Sequence, residues 1–113
     1  MSHPRHQLDD VIHSPVRFAI VALLAAAEKA EFGYVRDIVE VTDSALSRQV
    51  ATLENAGYVQ VTKGYVGKRP RTWLALSKEG KAAFTAHCAA LRAIADGVPE
   101  REPAGRGQPA TEW

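Results

Sequence analysis

The chain has 113 residues, 46% of them apolar and 24% charged, with a formal net charge of +1. That length and composition suit one small domain with one modest core. A single cysteine, Cys88, excludes an internal disulfide framework. No apolar run has transmembrane length, and the opening MSHPRHQLDD lacks the basic-then-apolar order of a signal peptide, so the protein is expected in the cytoplasm.

Residues 3 to 13 predict a short helical turn with Leu8, Val11 and Ile12 as its apolar side. Ser14-Pro15 marks a helix start, because serine suits the cap and proline the first helical position. This helix is expected from Pro15 to about Ala30. Phe18, Val21, Ala22 and Ala25 form one apolar face, and Ile20, Leu23, Leu24 and Ala27 fill another. A helix apolar nearly all round is either central to the core or shared with a second subunit. Glu31-Phe32-Gly33 breaks it and offers a short edge strand. A second helix is expected over Tyr34 to Glu40, with Val35, Ile38 and Val39 inward and Arg36, Asp37 and Glu40 outward. With Val41-Thr42 as the turn, it becomes the first half of a helix-turn-helix.

The most informative stretch runs from Thr42 to Leu76, TDSALSRQVATLENAGYVQVTKGYVGKRPRTWLAL. Leu46, Val50 and Leu53 fall on one helical face, Thr42 or Asp43 can cap the first turn, and Gly57 sits where a left-handed stop belongs. The opposite face carries Ser44, Ser47, Arg48, Ala51 and Thr52. A merely solvated face would carry Lys and Glu pairs. Short side chains instead let a helix sink into a groove, where Arg48 can reach a base edge or a phosphate. Val59 and Val61 alternate with Gln60 and Thr62 as in a half-buried strand, and Leu74 and Leu76 alternate with Trp73 and Ala75. Between them lies KGYVGKRPR, read as a loop with Gly64 and Gly67 for turning and four cations, Lys63, Lys68, Arg69 and Arg71, with no acid among them.

Charge is distributed unevenly. Residues 1 to 42 carry a net −2, residues 43 to 81 a net +4, and residues 82 to 113 a net −1. A phosphate backbone responds to such a local patch rather than to the total.

Ser77 caps a long helix expected from Lys78 to about Ala95. Phe84, His87 or Cys88, Leu91, and Ile94 or Ala95 form a stripe along it. Such a stripe exceeds what one small domain can cover, which points to packing against a second subunit. The other reading folds it back onto Pro15–Ala30 in a monomer. Beyond it, residues 96–113 are rich in Pro and Gly and read as a disordered tail, with Trp113 an odd terminal residue.

These residues resemble a family. The order of helix, LENAGYV, basic hairpin and LSKEGKAAF is similar to the winged-helix transcriptional regulators of the MarR and ArsR type, over roughly His13 to Leu91. The recurring features are Ser47-Arg48, then Leu53-Glu54-Asn55-Ala56-Gly57-Tyr58, then Leu76-Ser77-Lys78-Glu79-Gly80. At the tight turn before the recognition helix, where the family often has Gly, this chain has Glu40-Val41. The resemblance implies a mainly α fold with a small β-hairpin wing (α+β), a winged helix-turn-helix that dimerises through its terminal helices. The domain is then 14–95, preceded by an arm over 1–13 and followed by the tail.

Sequence-specific binding to double-stranded DNA is the function this points to, with the recognition helix over 43–56 in the major groove. Ser44, Ala45, Ser47 and Thr52 are the groove-facing candidates, Arg48 the candidate for base readout, and Gln49 lies to the side within reach of a phosphate. Lys63, Lys68, Arg69 and Arg71 are candidates for the backbone, with Arg69 nearest to a minor-groove role. The candidate dimer interface is Leu8, Val11, Ile12, Phe18, Phe84, His87, Leu91 and Ile94. A homodimer would set two recognition helices about ten base pairs apart. Any small-molecule effector would have to bind between the dimer helices and the wing domains.

Two other readings stand beside this one. The first is a winged helix used for protein–protein interaction, which needs neither a cationic wing nor a short-chained recognition face. The second is a metal-responsive regulator using His and Cys at the dimer interface, where His87 and Cys88 lie, with His3, His6 and His13 crowding the arm. No cofactor or metal site follows from the spacings. Catalysis finds no paired carboxylates, no phosphate-binding glycine loop and no zinc spacing, and His87 and Cys88 point about 100° apart on a helix.

Overall fold

The computed structural model describes residues 2–97, and the tail from residue 98 on, with Trp113, lies outside the described residues. The arm opens with a single 3-10 turn, Pro4–Gln7, capped by the His3 side chain. Helix α1 spans Pro15–Ala26, with the Ser14 hydroxyl accepting from the Arg17 N–H. It stops four residues before the expected Ala30, because Ala27 is extended and leads into strand β1, Ala30–Glu31. Helix α2, Phe32–Val39, follows without a loop, so Phe32 and Gly33 lie in its first turn rather than in a break.

Helix α2 ends on Glu40, whose φ of 63° and ψ of 55° make it the one described non-glycine residue in the left-handed region. At this corner between α2 and the next helix, the position where glycine is often found carries a side chain. The left-handed form costs roughly 1–2 kcal/mol outside glycine. The N–H groups of Glu40 and Val41 both donate to the Arg36 carbonyl, at 2.9 and 3.2 Å, which holds the turn closed. Ile38 is corrected: it faces solvent, 54% exposed, while Val35 alone of the three is fully buried.

Helix α3, Asp43–Asn55, is capped by Thr42, whose hydroxyl accepts from the Ala45 N–H at 3.1 Å. Gly57, at φ 82°, stops it. Strand β2, Val59–Val66, and strand β3, Arg69–Leu76, form an antiparallel hairpin in register from Val59 with Leu76 to Val66 with Arg69. The expected long loop is therefore corrected to a two-residue turn, Gly67-Lys68. Gly67, at φ 65°, supplies the left-handed turn, whereas Gly64 sits in the strand opposite Arg71. Strand β1 pairs with β3 on its other edge, giving the order β1-β3-β2.

Helix α4, Lys78–Ala95, is capped by the Ser77 hydroxyl, which accepts from the Gly80 N–H at 2.9 Å. Gly80 is required by packing. A Cβ there would lie 2.2 Å from the Tyr58 carbonyl oxygen, so helix α4 crosses the chain just after α3 at glycine distance. The core joins all layers: Ile20, Val21 and Leu24 of α1, Val35 of α2, Leu46, Val50 and Leu53 of α3, and Val59, Leu74 and Leu76 of the sheet. Much of the stripe on α4 finds partners in its own chain. Phe84 packs on Phe18 at 5.9 Å between ring centroids, and His87 lies 5.7 Å from Phe18 and 5.4 Å from His13.

Candidate nucleic-acid interface

The three buried residues of α3 lie on one side and so decide what the helix shows outside. Ser44, Ser47, Arg48, Ala51 and Thr52 are exposed, and Ala45 and Gln49 are half-buried at the flank. Arg48 makes no ion pair among the described residues. Of the two acids within α3, Asp43 and Glu54, Asp43 is held by Arg36 of α2 at 2.9 Å. Arg36 also grips Asp37 at 2.9 Å, and these two carboxylates, Asp37 first, raise its pKa further above its ordinary value. Thus α2 ties down the first turn of α3 and offsets an acid that would repel phosphate, leaving Arg48 without an ion-pair partner among the described residues. The Thr52 hydroxyl donates back to the Arg48 carbonyl at 3.2 Å.

Strand parity divides the wing cations, which a loop would have left together. Val59, Val61, Leu74 and Leu76 point to the core, so Lys63 and Tyr65, with Thr72 and Pro70 opposite them, continue that same face outward. This is the side of α3: Ser47, Ala51, Glu54, Lys63 and Thr72 line one cleft of about 730 Å³. Arg69 and Arg71 alternate with Pro70 and Thr72 and stand on the opposite face, with Trp73. There Arg71 pairs with Glu31 of β1 at 2.7 Å, and the Lys29 ammonium sits 4.8 Å from the Trp73 ring centroid. Lys68 occupies the turn. Among the described residues Lys63, Lys68 and Arg69 have no acidic partner. Tyr65, 74% exposed on the α3 side, escaped the sequence reading; extending the alternation past Thr62 would have found it.

Behind α3 the arm is stitched to α1, to α4 and to Tyr58 in the link between α3 and β2. The Asp9 carboxylate accepts the Tyr58 hydroxyl at 2.6 Å and the N–H groups of Val11 and Ile12 at 2.9 and 3.1 Å. Its own N–H donates to His87 Nδ1 at 3.0 Å. The bond to Asp9, aided by burial, raises the Tyr58 pKa above its ordinary value. Burial first, and then the neighbouring His13, lowers the His87 pKa, against a smaller opposing effect of Asp9. His87 Nε2 is buried without a hydrogen-bond partner among the described residues. Arg17 of α1 donates to the Val11 carbonyl through Nε and to the Gln49 amide oxygen through Nη1, the latter at 2.8 Å.

The expected dimer residues separate into two groups. Leu8, Val11, Phe18, Phe84, Leu91 and Ile94 are half-buried, whereas Ile12 and His87 are enclosed within the protomer at 0% and 1% exposure. No group of three or more His, Cys, Asp or Glu side chains among the described residues could hold a metal ion. No described helix is long and apolar enough to cross a membrane.

A helix-turn-helix followed at once by a β-hairpin, with the second helix showing a short-chained face, defines a winged helix. The chain belongs to the winged helix DNA-binding domain family, whose model matches residues 16–95. It is 32% identical over 74 residues to "Uncharacterized protein MJ0432" of Methanocaldococcus jannaschii, covering 66% of this chain and 80% of that protein. Among solved structures it is similar to the transcriptional regulator homologue protein of Pyrococcus horikoshii OT3, with a TM-score of 0.78, 26% identity, and 86% and 97% of the two chains covered. A MarR family transcriptional regulator of Silicibacter pomeroyi shares the fold at a TM-score of 0.61 and 22% identity, over 84% of this chain and 63% of that one. The fold is that of the MarR-type regulators.

Proposed function

We propose that the protein is a sequence-specific transcriptional regulator that binds double-stranded DNA as a homodimer. One observation carries this reading: the exposed face of α3 offers short side chains around Arg48, beside a hairpin bearing Lys63 and Lys68, and none of these three cations has an acidic partner among the described residues. The similarity to the P. horikoshii regulator homologue supports it. In this reading Ser44, Ala45, Ser47 and Thr52 approach the major groove and Arg48 reads a base, with guanine the natural partner of an arginine fork. Lys63 and Lys68 meet backbone phosphates. Arg69 reaches the minor groove around the wing edge, and Arg71 serves chiefly to hold β1 to the sheet. Half-buried Leu8, Phe18, Phe84, Leu91 and Ile94 furnish the dimer surface. The candidate seat for a small-molecule effector is the cleft of about 250 Å³ lined by His13, Phe18, His87 and Leu91. A cytoplasmic location accompanies this function.

Fluorescence anisotropy with the protein's own upstream promoter DNA and a scrambled duplex, at two salt concentrations, tests the proposal. Promoter-preferring binding that weakens as salt rises is the expected result. Absence of binding to either duplex at low salt would overturn it in favour of a protein-interaction module.

A further inference from the structure

The bond between Arg17 and Gln49 reaches further than local packing. Arginine has donors and no acceptor, so the oxygen of the Gln49 amide must face Arg17, and the amide NH₂ must point away from it. Arg17 is itself anchored, because its Nε is bound to the Val11 carbonyl of the arm. Gln49 thus has a fixed amide orientation, set from outside its own helix at 2.8 Å.

Its place on α3 decides what that NH₂ can meet. With about 100° per residue, Gln49 stands about 100° to one side of Arg48 and Ser47 about 100° to the other. Ser47 lines the cleft toward the wing, so Gln49 marks the flank away from the wing. A helix lying in a major groove turns its two flanks toward the two phosphate walls and its centre toward the base edges. An adenine pairing by glutamine needs both the amide oxygen and the amide nitrogen. Here the oxygen is engaged by Arg17. We infer that Arg17 is a positioning residue that holds Gln49 as a hydrogen-bond donor to a DNA phosphate on the wall opposite the wing. This inference rests on the DNA-binding reading, and adds to it that the arm and α1 help fix the register of α3 on the duplex.

The test is a double-mutant cycle on the full chain, read as DNA affinity on the preferred and scrambled duplexes. Gln49→Ala weakens both complexes by about tenfold, as expected for one hydrogen bond to a charged acceptor that carries no base information. Arg17→Met weakens binding by about three- to tenfold in the parent protein, and clearly less in the Gln49→Ala background. A general loss of fold or of positive charge at residue 17 would act in both backgrounds, and the cycle subtracts it. Should Arg17→Met fail to fold, Arg17→Lys takes its place, since one ammonium cannot reproduce the fork that holds Val11 and Gln49 together. A methylphosphonate scan gives the second readout. One neutralised phosphate should cost the parent protein more than it costs either variant. Equal effects of the residue-17 substitution in both backgrounds, with the parent still binding DNA, overturn this inference alone. A parent protein that binds no duplex overturns the DNA-binding reading and this inference with it.

Discussion

Gly80→Ala sets two physical effects of opposite sign against each other. In an exposed helix the change would stabilise by about 1 kcal/mol, because alanine is the better helix former. Here the added Cβ meets the Tyr58 carbonyl oxygen at 2.2 Å, about 1 Å short of an ordinary C···O contact. Neither side can yield cheaply. The Tyr58 carbonyl accepts the Ser77 N–H at 2.9 Å, the Ser77 hydroxyl binds the Gly57 carbonyl, and the same hydroxyl caps α4 through the Gly80 N–H. Moving α4 away stretches all three bonds. Overpacking costs roughly 1–3 kcal/mol and a weakened cap about 1 kcal/mol more, so the clash outweighs propensity and leaves a net loss of about 2 kcal/mol. For a domain of this size that lowers Tm by roughly 8–16 °C. Urea and thermal unfolding of the variant against the parent measure it. A variant of equal or greater stability would refute the close crossing of α4 over Tyr58.

At the corner between α2 and α3, Glu40→Gly removes about 1–2 kcal/mol of left-handed strain but gives the unfolded chain more freedom, which offsets about half of that gain, so unfolding free energy should rise by a net of about 0.5–1 kcal/mol; a loss of stability in denaturant titration would contradict the strained turn. Tyr58→Phe deletes a hydrogen bond to the Asp9 carboxylate and should cost about 1.5–3 kcal/mol in the same measurement, whereas a neutral result would detach the arm from the base of the wing. Burial lowers the pKa of His87, so the unfolded chain binds its proton more readily: this contribution to stability is complete above the ordinary histidine value and lost as pH falls through the depressed one. Unfolding free energy measured from pH 7 down to 5 should therefore fall, and His87→Asn, which keeps an acceptor for the Asp9 N–H, should flatten that slope. Arg48→Ala should narrow the gap between promoter and scrambled DNA by about 1–3 kcal/mol, while Lys68→Ala weakens both complexes alike. Equal loss on both duplexes for Arg48→Ala would remove its role in base readout.

Most of the fold could be read from neighbours within a few residues. Ser14, Thr42 and Ser77 each cap the helix the sequence places after them, and Gly57 stops α3 where expected. Leu46, Val50 and Leu53 are buried because their spacing already puts them on one face. The candidate groove face of α3 was legible for the same reason, as the complement of that buried stripe. The wing was less so. Polar and glycine residues in KGYVGKRPR look like a loop, yet cross-strand pairing extends both strands to a two-residue turn and puts Arg69 and Arg71 on the face away from Lys63. Ile38 looked inward by periodicity, but an eight-residue helix packed on α1, α3 and the sheet had room to bury only Val35 fully.

Local chemistry thus determines the order of elements, their starts and stops, and which face of each helix is apolar, since caps and i, i+4 spacings act within one turn of chain. Only the tertiary structure decides which polar groups answer one another across the fold. It gives Arg71 to Glu31, Asp43 to Arg36, Gln49 to Arg17, and Tyr58 and His87 to Asp9. These partners lie between 7 and 78 residues apart in sequence, and a single sequence carries no local signal for hydrogen bonds made by packing distant elements together.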